Sequence, residues 1–205
     1  MTVPEPLWWI AAAVLGYLLG AINPAAIVAR IFQVDLRGSG SGNPGATNVG
    51  RVLGPRWGVL VGVLDVLKGF IPAFLFGWFG GQLSGEIAGL AAVLGHITSP
   101  FLKGRGGKGA ATTVGAILGV QPLLAIPVLL AFGVGVLIWH RVGLGAVLGA
   151  VALAVSGVVG FALGWTDRAD MWFAIVLSGM VLARHQRNIR EAWRQFRNGG
   201  QAAAS

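Results

Sequence analysis

The sequence predicts an all-α integral membrane protein with seven transmembrane helices, the N-terminus outside and the C-terminus in the cytoplasm. Of its 205 residues, 55% are hydrophobic and 11% are charged, whereas a soluble domain carries roughly 25% charged residues. Apolar runs near the length that crosses a bilayer recur along the chain. The net charge of +8 lies in short segments between these runs. That placement favours a membrane protein over a nucleic-acid-binding protein, so we expect no nucleic-acid partner.

The first apolar run, residues 7–31, is interpreted as a retained helix. It is longer than the apolar region of a signal peptide, and no basic segment precedes it. The later predicted spans are 57–79, 87–97, two crossings within 110–139, 144–165 and 171–183.

Charge decides the number of crossings in residues 110–139, which are too long for one span and short for two. If the chain turns at Gln121-Pro122, all basic residues except Lys68 and Arg168 can lie on one face. A single crossing would place the basic C-terminal segment opposite the two basic loops, against the positive-inside rule. The acidic residues predicted on the other face are Glu5, Glu86, Asp167 and Asp170.

The length indicates a single domain, 1–205, with residues from about 199 to 205 as a disordered tail. The sequence contains no cysteine, which excludes thiol catalysis. Many of the 34 glycines recur four residues apart in the apolar runs. We interpret that spacing as close packing between helices.

The first candidate site segment is SGSGNPGATNVGR, residues 39–51. Its glycines allow the backbone to turn N–H groups toward one point, and Arg51 adds a bidentate cation. This combination suits phosphate. The alternative is a flexible linker, which would require neither the amide and hydroxyl side chains nor the arginine. The other candidates here are Ser39, Gly40, Ser41, Gly42, Asn43, Gly45, Thr47 and Asn48.

The second candidate segment is FLKGRGGKGAAT, residues 101–112. Glycine-rich backbone that leads into a helix N-terminus commonly binds phosphate. The spacing differs from a Walker A motif, because Gly109 follows Lys108. The alternative is a basic loop that only sets topology. The candidates are Lys103, Arg105, Gly106, Gly107, Lys108 and Gly109.

Histidines and one intramembrane ion pair complete the candidates. His185 and Asn188 lie three residues apart in RHQRNI and would share one face of a continuing helix. Lys68 lies three residues after Asp65 within a span, where an ion pair is either functional or a tie between helices. His96 is expected to orient the second segment or to touch ligand.

Acidic residues are scarce on the predicted cytoplasmic face. A Mg²⁺-dependent phosphotransferase needs several carboxylates, so we expect no metal and no cofactor. The G-x-S-x-G pattern of hydrolases is also absent. Cations and neutral donors without a carboxylate base suit a reaction whose substrates bring their own anionic groups.

These motifs resemble the bacterial acyl-phosphate:glycerol-3-phosphate acyltransferases, the PlsY family. The resemblance rests on GSGSGNPGATNVGR, DVLKGFIP, GH followed by GGKGAAT, and RHQRNI, in the family's order. It implies acyl transfer from acyl phosphate to the sn-1 hydroxyl of glycerol 3-phosphate, giving lysophosphatidic acid and phosphate. It also implies a seven-helix protein of the bacterial inner membrane, with its site on the cytoplasmic side. We expect a monomer in contact with the bilayer.

By matched position, the resemblance implies that the three motifs bind two phosphates and position the acyl carbon. Our hypothesis is that Ser41 and Asn48 hold one phosphate, Arg51 and Lys108 neutralise charge, and His185 and Asn188 orient glycerol 3-phosphate. The resemblance further implies that a substrate phosphate takes the hydroxyl proton. The catalytic candidates are Ser41, Arg51, Lys108, His185 and Asn188.

The sequence departs from the family pattern at two places. The proline after His96 comes four residues later, where the family usually has it after three. Arg105 stands where the family usually has lysine, which leaves its role open. The rival function is a transporter of a phosphorylated metabolite, which needs a polar path across the membrane. Only Asp65 and Lys68 offer one.

Overall fold

The computed structural model describes the backbone of residues 3–202 and the side chains of residues 3–197. The regular structure of these residues is helical. The helices are α1 (Glu5–Ala21), α2 (Pro24–Ile31), α3 (Ala46–Leu53), α4 (Pro55–Gly80), α5 (Gln82–Thr98), α6 (Ala110–Val120), α7 (Ala125–Trp139), α8 (Val142–Ala162), α9 (Arg168–Arg184) and α10 (Gln186–Ala202).

Five stretches of the described chain are long and apolar enough to cross a membrane. Large apolar side chains such as Trp78, Leu130 and Leu137 are exposed on them, and a surface of this kind requires lipid. The chain is therefore an all-α, multi-pass integral membrane protein. The five stretches are Glu5–Ile31, Pro55–Gly80, Gln82–Leu102, Pro122–Trp139 and Val142–Ala162.

The count of seven predicted spans depends on α6 and α9, which are shorter. With 11 and 17 residues, they rise about 16 and 26 Å, against about 30 Å of hydrocarbon. The predicted turn at Gln121-Pro122 is present, as a 3₁₀ segment Pro122–Leu124 that separates α6 from α7. Helix α5 begins at Gln82, which makes the third span longer than the predicted 87–97.

The predicted single helix 7–31 is broken after Ala21, and this part of the prediction is corrected. Pro24 cannot donate a backbone hydrogen bond, and Asn23 caps α2 by accepting from the Ala26 N–H at 2.7 Å. The other end of the Asn23 amide donates to the Pro44 carbonyl oxygen at 3.2 Å. The break therefore anchors the loop of the first motif. An Asn-Pro pair is a turn signal that the sequence prediction overlooked.

The segment 33–56, between the first two predicted spans, contains the helix α3. On the apolar face of α3, Val49 is buried and Val52 is partly buried, and both pack against α2 and α4. Gly50 lets this short helix lie directly on α4, where a Cβ added at Gly58 would be 2.8 Å from the Gly50 Cα. Polar residues of the motif are thus held on a packed helix, because its apolar face is buried.

Glycine permits the closest helix contacts, as the spacing predicted. A Cβ added at Gly115 of α6 would lie 1.9 Å from the Val66 carbonyl oxygen of α4. A Cβ at Gly20 of α1 would lie 2.0 Å from the Ala92 carbonyl oxygen of α5. No side chain fits at such distances, so these glycines set the spacing of the bundle.

Helices α9 and α10 are separated at His185, which is not helical. The continuous helix through His185 and Asn188 is therefore corrected to two helices. Helix α10 extends to Ala202. Residues 199–202 of the predicted tail are therefore helical. Residues 203–205 of that tail lie outside the described part of the chain.

Two ends of the bundle differ in chemistry. At one end, the C-terminus of α5 meets the N-terminus of α6 and the C-terminus of α9, with the basic loops around them. At the other end, Asp170 at the start of α9 accepts from the side chains of Gln82, at 2.7 Å, and Gln121, at 3.2 Å. The inter-helix turns on that side therefore meet at one acidic residue.

Candidate functional site

A cavity of about 580 Å³ opens at the basic end of the bundle. It is enclosed by α3, α4, the start of α6, the middle of α7, the start of α8 and the segment after α9. Eleven predicted site residues line it: Ser41, Asn43, Gly45, Thr47, Asn48, Arg51, His96, Lys108, Gly109, His185 and Asn188.

Asn48 has a structural role in the first motif that differs from the predicted one. Its amide nitrogen donates to the carbonyl oxygens of Leu36 and Ser39, at 3.1 and 3.0 Å. Its amide oxygen accepts from the Ser41 N–H at 2.8 Å. All three polar positions point into the loop, and the residue is 1% exposed. Asn48 therefore shapes the loop around Ser41, and its side chain has no free donor for phosphate.

Three other residues of the first motif lie behind the cavity wall. Gly40 and Gly42 have φ of 59° and 70°, a left-handed conformation that favours glycine. A Cβ at Gly40 would lie 2.2 Å from the Asn48 amide oxygen. The Ser39 carbonyl oxygen accepts from Asn48 and from the Gly42 N–H. Ser39, Gly40 and Gly42 thus form the turn that presents Ser41, and we correct their predicted contact with phosphate.

The glycine loop, residues 104–109, is held against the end of α5 by its own backbone. The Gly106 N–H donates to the Ile97 carbonyl oxygen at 2.9 Å, and the Gly107 N–H donates to that of His96 at 3.1 Å. A Cβ at Gly106 would lie 1.9 Å from the His96 carbonyl oxygen. These two glycines were predicted to bind phosphate. Their N–H groups are already used, so we assign them to packing instead.

Arg184 holds the same loop from the other side. Its guanidinium donates to the carbonyl oxygens of Gly106 and Gly107, both at 3.3 Å. The loop is therefore fixed between two helices, α5 and α9. This arrangement directs Lys108 into the cavity, where its ammonium donates to the Asn188 side-chain oxygen.

Lys103 and Arg105 are exposed and do not line the cavity. The loop makes its turn at Lys103, whose φ is 52°. The Arg105 carbonyl oxygen accepts from Arg37. We therefore correct their predicted contact with phosphate, because both side chains are exposed and neither lines the cavity.

The cavity holds excess positive charge around Lys108. Burial lowers the pKa of Lys108 most, and the charges of Arg187, Arg51 and Arg184 lower it further, while Glu191 opposes them. Like charges this close are stabilised by an anion between them. The N-terminus of α6, which begins beside Gly109 at the wall, adds unpaired N–H groups.

His185 is neutral and has one defined tautomer. Its Nδ1 lies 2.8 Å from the Val181 carbonyl oxygen, and a carbonyl only accepts, so Nδ1 carries the proton. Burial lowers the pKa of His185 to about 4, with Lys108 and Arg184 adding to the effect and the Val181 hydrogen bond opposing it. Nε2 is therefore a lone-pair acceptor in a ring on the cavity wall.

Lys68 does not line the cavity. Its ammonium is 3.1 Å from Asp65 Oδ1 and donates to the Ile22 carbonyl oxygen at 2.7 Å. His96 Nδ1 is 3.4 Å from the same Asp65 oxygen. Lys68 lies instead beside an apolar groove of about 380 Å³. The predicted contact between Lys68 and substrate is thus corrected to an ion pair that supports the wall.

Comparison with known proteins decides the family. The model of the family described as glycerol-3-phosphate acyltransferase matches residues 10–195. The chain belongs to the glycerol-3-phosphate acyltransferase family. It is therefore an acyltransferase of an integral membrane type, as the sequence motifs predicted.

Curated relatives and solved structures agree with this assignment. The acyltransferase is 39% identical to that of Thermoanaerobacter pseudethanolicus over 186 residues, 90% of this chain and 91% of the relative. It is 40% identical to that of Aquifex aeolicus over 180 residues, 86% and 91% of the two chains. Two crystal structures of PlsY (YgiH), an integral membrane glycerol 3-phosphate acyltransferase, are 35% identical, with 91% and 92% of the two chains covered. Their TM-scores are 0.84 for the glycerol 3-phosphate form and 0.80 for the lysophosphatidic acid form.

Sequence analysis of the acyltransferase missed two features near the charged residues. Arg184 lies within the RHQRNI motif, but its contacts with the glycine loop are made only by folding, so the motif gives no signal of its role. Gly143 lies under Asn188, and a Cβ there would be 2.1 Å from the Asn188 amide nitrogen. No local signal distinguishes Gly143 from the packing glycines around it.

The acyltransferase also has an apolar wall that its motifs do not identify. The helices α4, α6, α7 and α8 supply it, and a hydrophobic run alone does not show which face meets a cavity. The apolar lining residues are Val59, Val63, Val66, Leu67, Val114, Leu129, Phe132, Val142 and Ala146.

We predict that His185 stays neutral from about pH 8 to about pH 5, where a free imidazole titrates. Burial lowers its pKa to about 4, so protonation favours the unfolded state. The contribution of His185 to the free energy of unfolding should therefore decline as pH falls from about 6.5 toward about 4. Nitrogen-15 spectra of histidine-labelled protein across this range test it, and the signal missing in His185→Gln gives the assignment. A midpoint above about pH 6 would contradict the neutral state assigned here.

Proposed function

We propose that the chain transfers a fatty acyl group from acyl phosphate to the sn-1 hydroxyl of glycerol 3-phosphate. The products are lysophosphatidic acid and inorganic phosphate, and the step is the first acylation of phospholipid synthesis. The single observation that carries the proposal is one cavity with a cationic end at Lys108 and Arg51 and an apolar wall beside it. Both substrates are anionic, and one of them carries a fatty chain.

The cationic end suits the phosphates. Arg51 offers a bidentate fork, Lys108 a point charge, and α6 the free N–H groups of its first turn. Ser41 lies at the cavity with its hydroxyl exposed. In this proposal these groups hold the acyl phosphate and stabilise the oxyanion that develops on its carbonyl oxygen.

His185 and Asn188 orient glycerol 3-phosphate. The Nε2 lone pair of His185 accepts a hydrogen bond from a glycerol hydroxyl, while Lys108 fixes the Asn188 amide. The lowered pKa of His185 makes it a weak base.

Bond making and breaking then balance without a further reactant. The sn-1 oxygen attacks the acyl carbon, the bond from that carbon to the phosphate oxygen breaks, and a phosphate oxygen takes the hydroxyl proton. Asp65 is the carboxylate at the wall, and its pairing with Lys68 at 3.1 Å leaves it poorly placed to act as the base. A substrate phosphate as base is consistent with this arrangement.

The apolar wall accommodates the acyl chain next to the cationic end. Most of its residues are on α4 and α7, which expose apolar surface to lipid. A chain dissolved in the bilayer can therefore enter between helices without crossing water. A transporter of a phosphorylated metabolite would need polar lining through the bundle, whereas much of the lining of this cavity is apolar.

We further propose seven crossings, with the N-terminus outside and the site on the cytoplasmic face of the bacterial inner membrane. The protein would act as a monomer of one domain, 1–205, because one chain supplies the whole cavity. The supporting observation is the meeting of the turns around Asp170 at the end opposite the cavity. This requires α6 and α9 to cross despite their length.

We predict turnover of palmitoyl phosphate and glycerol 3-phosphate by purified protein in EDTA, measured as released phosphate. Lys108→Ala and Arg51→Ala should each lower kcat/KM at least about 100-fold, because each removes a charge that stabilises the reacting groups. Lys103→Ala and Arg105→Ala are matched controls, since they remove exposed cations near the same loop. We expect these two to keep near-normal rates.

Two results would contradict this account. One is no turnover by protein that unfolds cooperatively on heating. The other is an equal loss of rate in the two control variants, which would return Lys103 and Arg105 to the site.

We predict opposite labelling of two single-cysteine variants, since the natural chain has no cysteine. An impermeant maleimide added to intact spheroplasts should modify Trp165→Cys, in the turn before α9, but not Gln195→Cys in α10. Inside-out vesicles should reverse the pattern. Labelling of both positions from one side would exclude the seven-crossing topology.

A further inference from the structure

Three carboxylates converge at the end of the bundle opposite the cavity. Glu86 of α5 and Asp167 and Asp170 at the start of α9 each offer an oxygen, and these oxygens lie within 4.8 Å of one another. Glu86 and Asp170 are each 2% exposed. The acyl-transfer mechanism uses none of them.

No side-chain cation balances this cluster within the described residues. The ion pairs of residues 3–197 involve Asp65 and Glu191. Burying carboxylates without a counter-ion is unfavourable, so such a group binds a cation or takes up a proton.

Most hydrogen bonds around the cluster go to Asp170 and Asp167. The Asp170 carboxylate accepts from Gln82, from Gln121 and from the Asp167 N–H, at 2.7, 3.2 and 3.1 Å. Asp167 accepts from the Asp170 N–H at 2.9 Å. In contrast, Glu86 Oε1 is buried and has no hydrogen-bond partner. An unpartnered carboxylate oxygen beside two other carboxylates points to a missing positive group.

We propose that Glu86, Asp167 and Asp170 bind a Ca²⁺ ion. Carboxylate oxygens are hard ligands, and Ca²⁺ takes them at about 2.3–2.6 Å, so two ligands of one ion lie up to about 5 Å apart. The oxygens lie within 4.8 Å of one another, a distance that a Ca²⁺ ion can span. Mg²⁺ demands near-ideal octahedral geometry and dehydrates reluctantly. Partly buried carboxylates fixed on two helices therefore suit Ca²⁺ better.

The ion would join three parts of the bundle at once. Glu86 belongs to α5, Asp167 and Asp170 begin α9, and Gln121 at the turn between α6 and α7 is tied to Asp170. A Ca²⁺ bound there stabilises the packing of α5 against α9. In the proposed topology the cluster is extracytoplasmic, where Ca²⁺ sites with dissociation constants near 10⁻⁴–10⁻³ M are useful.

The test uses the full-length protein in detergent, freed of divalent ions and then supplied with CaCl₂ alone. Thermal unfolding followed by tryptophan fluorescence should shift up by about 5 °C at about 5 mM Ca²⁺. MgCl₂ at equal concentration should shift it much less. Equilibrium dialysis with calcium-45 should give about one ion per chain, and the initial rate of acyl transfer should not change, because the cavity is at the other end.

Glu86→Gln keeps the shape of the side chain and removes its charge, so it should abolish both the Tm shift and the calcium-45 binding. Asp167→Asn, at an exposed position, gives a second variant if Glu86→Gln folds poorly. Glu5→Gln, an exposed carboxylate in the first turn of α1, is the control and should retain both responses. Absence of a Ca²⁺-specific shift in the natural protein would overturn the proposal and assign the missing positive charge to a proton on Glu86. A full shift in Glu86→Gln would overturn it too.

Discussion

The site depends on one loop held by backbone hydrogen bonds. Four of the six residues 104–109 are glycines, and the position of the loop is set by N–H groups that bind the end of α5 and by carbonyls that bind Arg184. Glycine is required here because the loop touches the α5 backbone, where a Cβ at Gly106 would lie 1.9 Å from a carbonyl oxygen. Lys108 directly follows Gly106 and Gly107, whose backbone is fixed. Its ammonium therefore reaches the cavity from a backbone with little freedom.

Electrostatics explains why the loop must be fixed. Lys108 faces three arginine charges and is partly buried, both of which lower its pKa. A nearby anion stabilises a cation in such a place, and in the proposed reaction a substrate phosphate supplies that anion. The hydrogen bonds of the loop and the buried amide of Asn48 preserve the geometry between turnovers. The apolar wall begins beside these charges, as a substrate with a charged head and a fatty chain requires.

The sequence predicted the membrane class, the turn at Gln121-Pro122 and eleven of the residues that line the cavity. Composition, charge placement and motifs carry that information locally. It did not distinguish residues that line the cavity from residues that hold the loop in place. Gly106, Gly107 and Asn48 have the same residue types as phosphate-binding groups, and only their partners across the fold show that their donors are used. Arg184 and the apolar wall escaped notice for the same reason, because their neighbours are distant in sequence. The helix break is different, because the Asn23-Pro24 pair is a local sequence signal that predicts a turn there.

The most direct test of the central claim is a double-mutant cycle between Arg184 and Lys108. Rates of acyl transfer are measured with radiolabelled glycerol 3-phosphate for Arg184→Ala, Lys108→Ala and the double variant, with thermal unfolding to verify folding. If Arg184 acts by holding the loop that presents Lys108, its loss matters only while Lys108 is present. The double variant should then match Lys108→Ala within about twofold in kcat/KM. Losses that multiply in the double variant would show that Arg184 acts independently of the loop and would contradict this account.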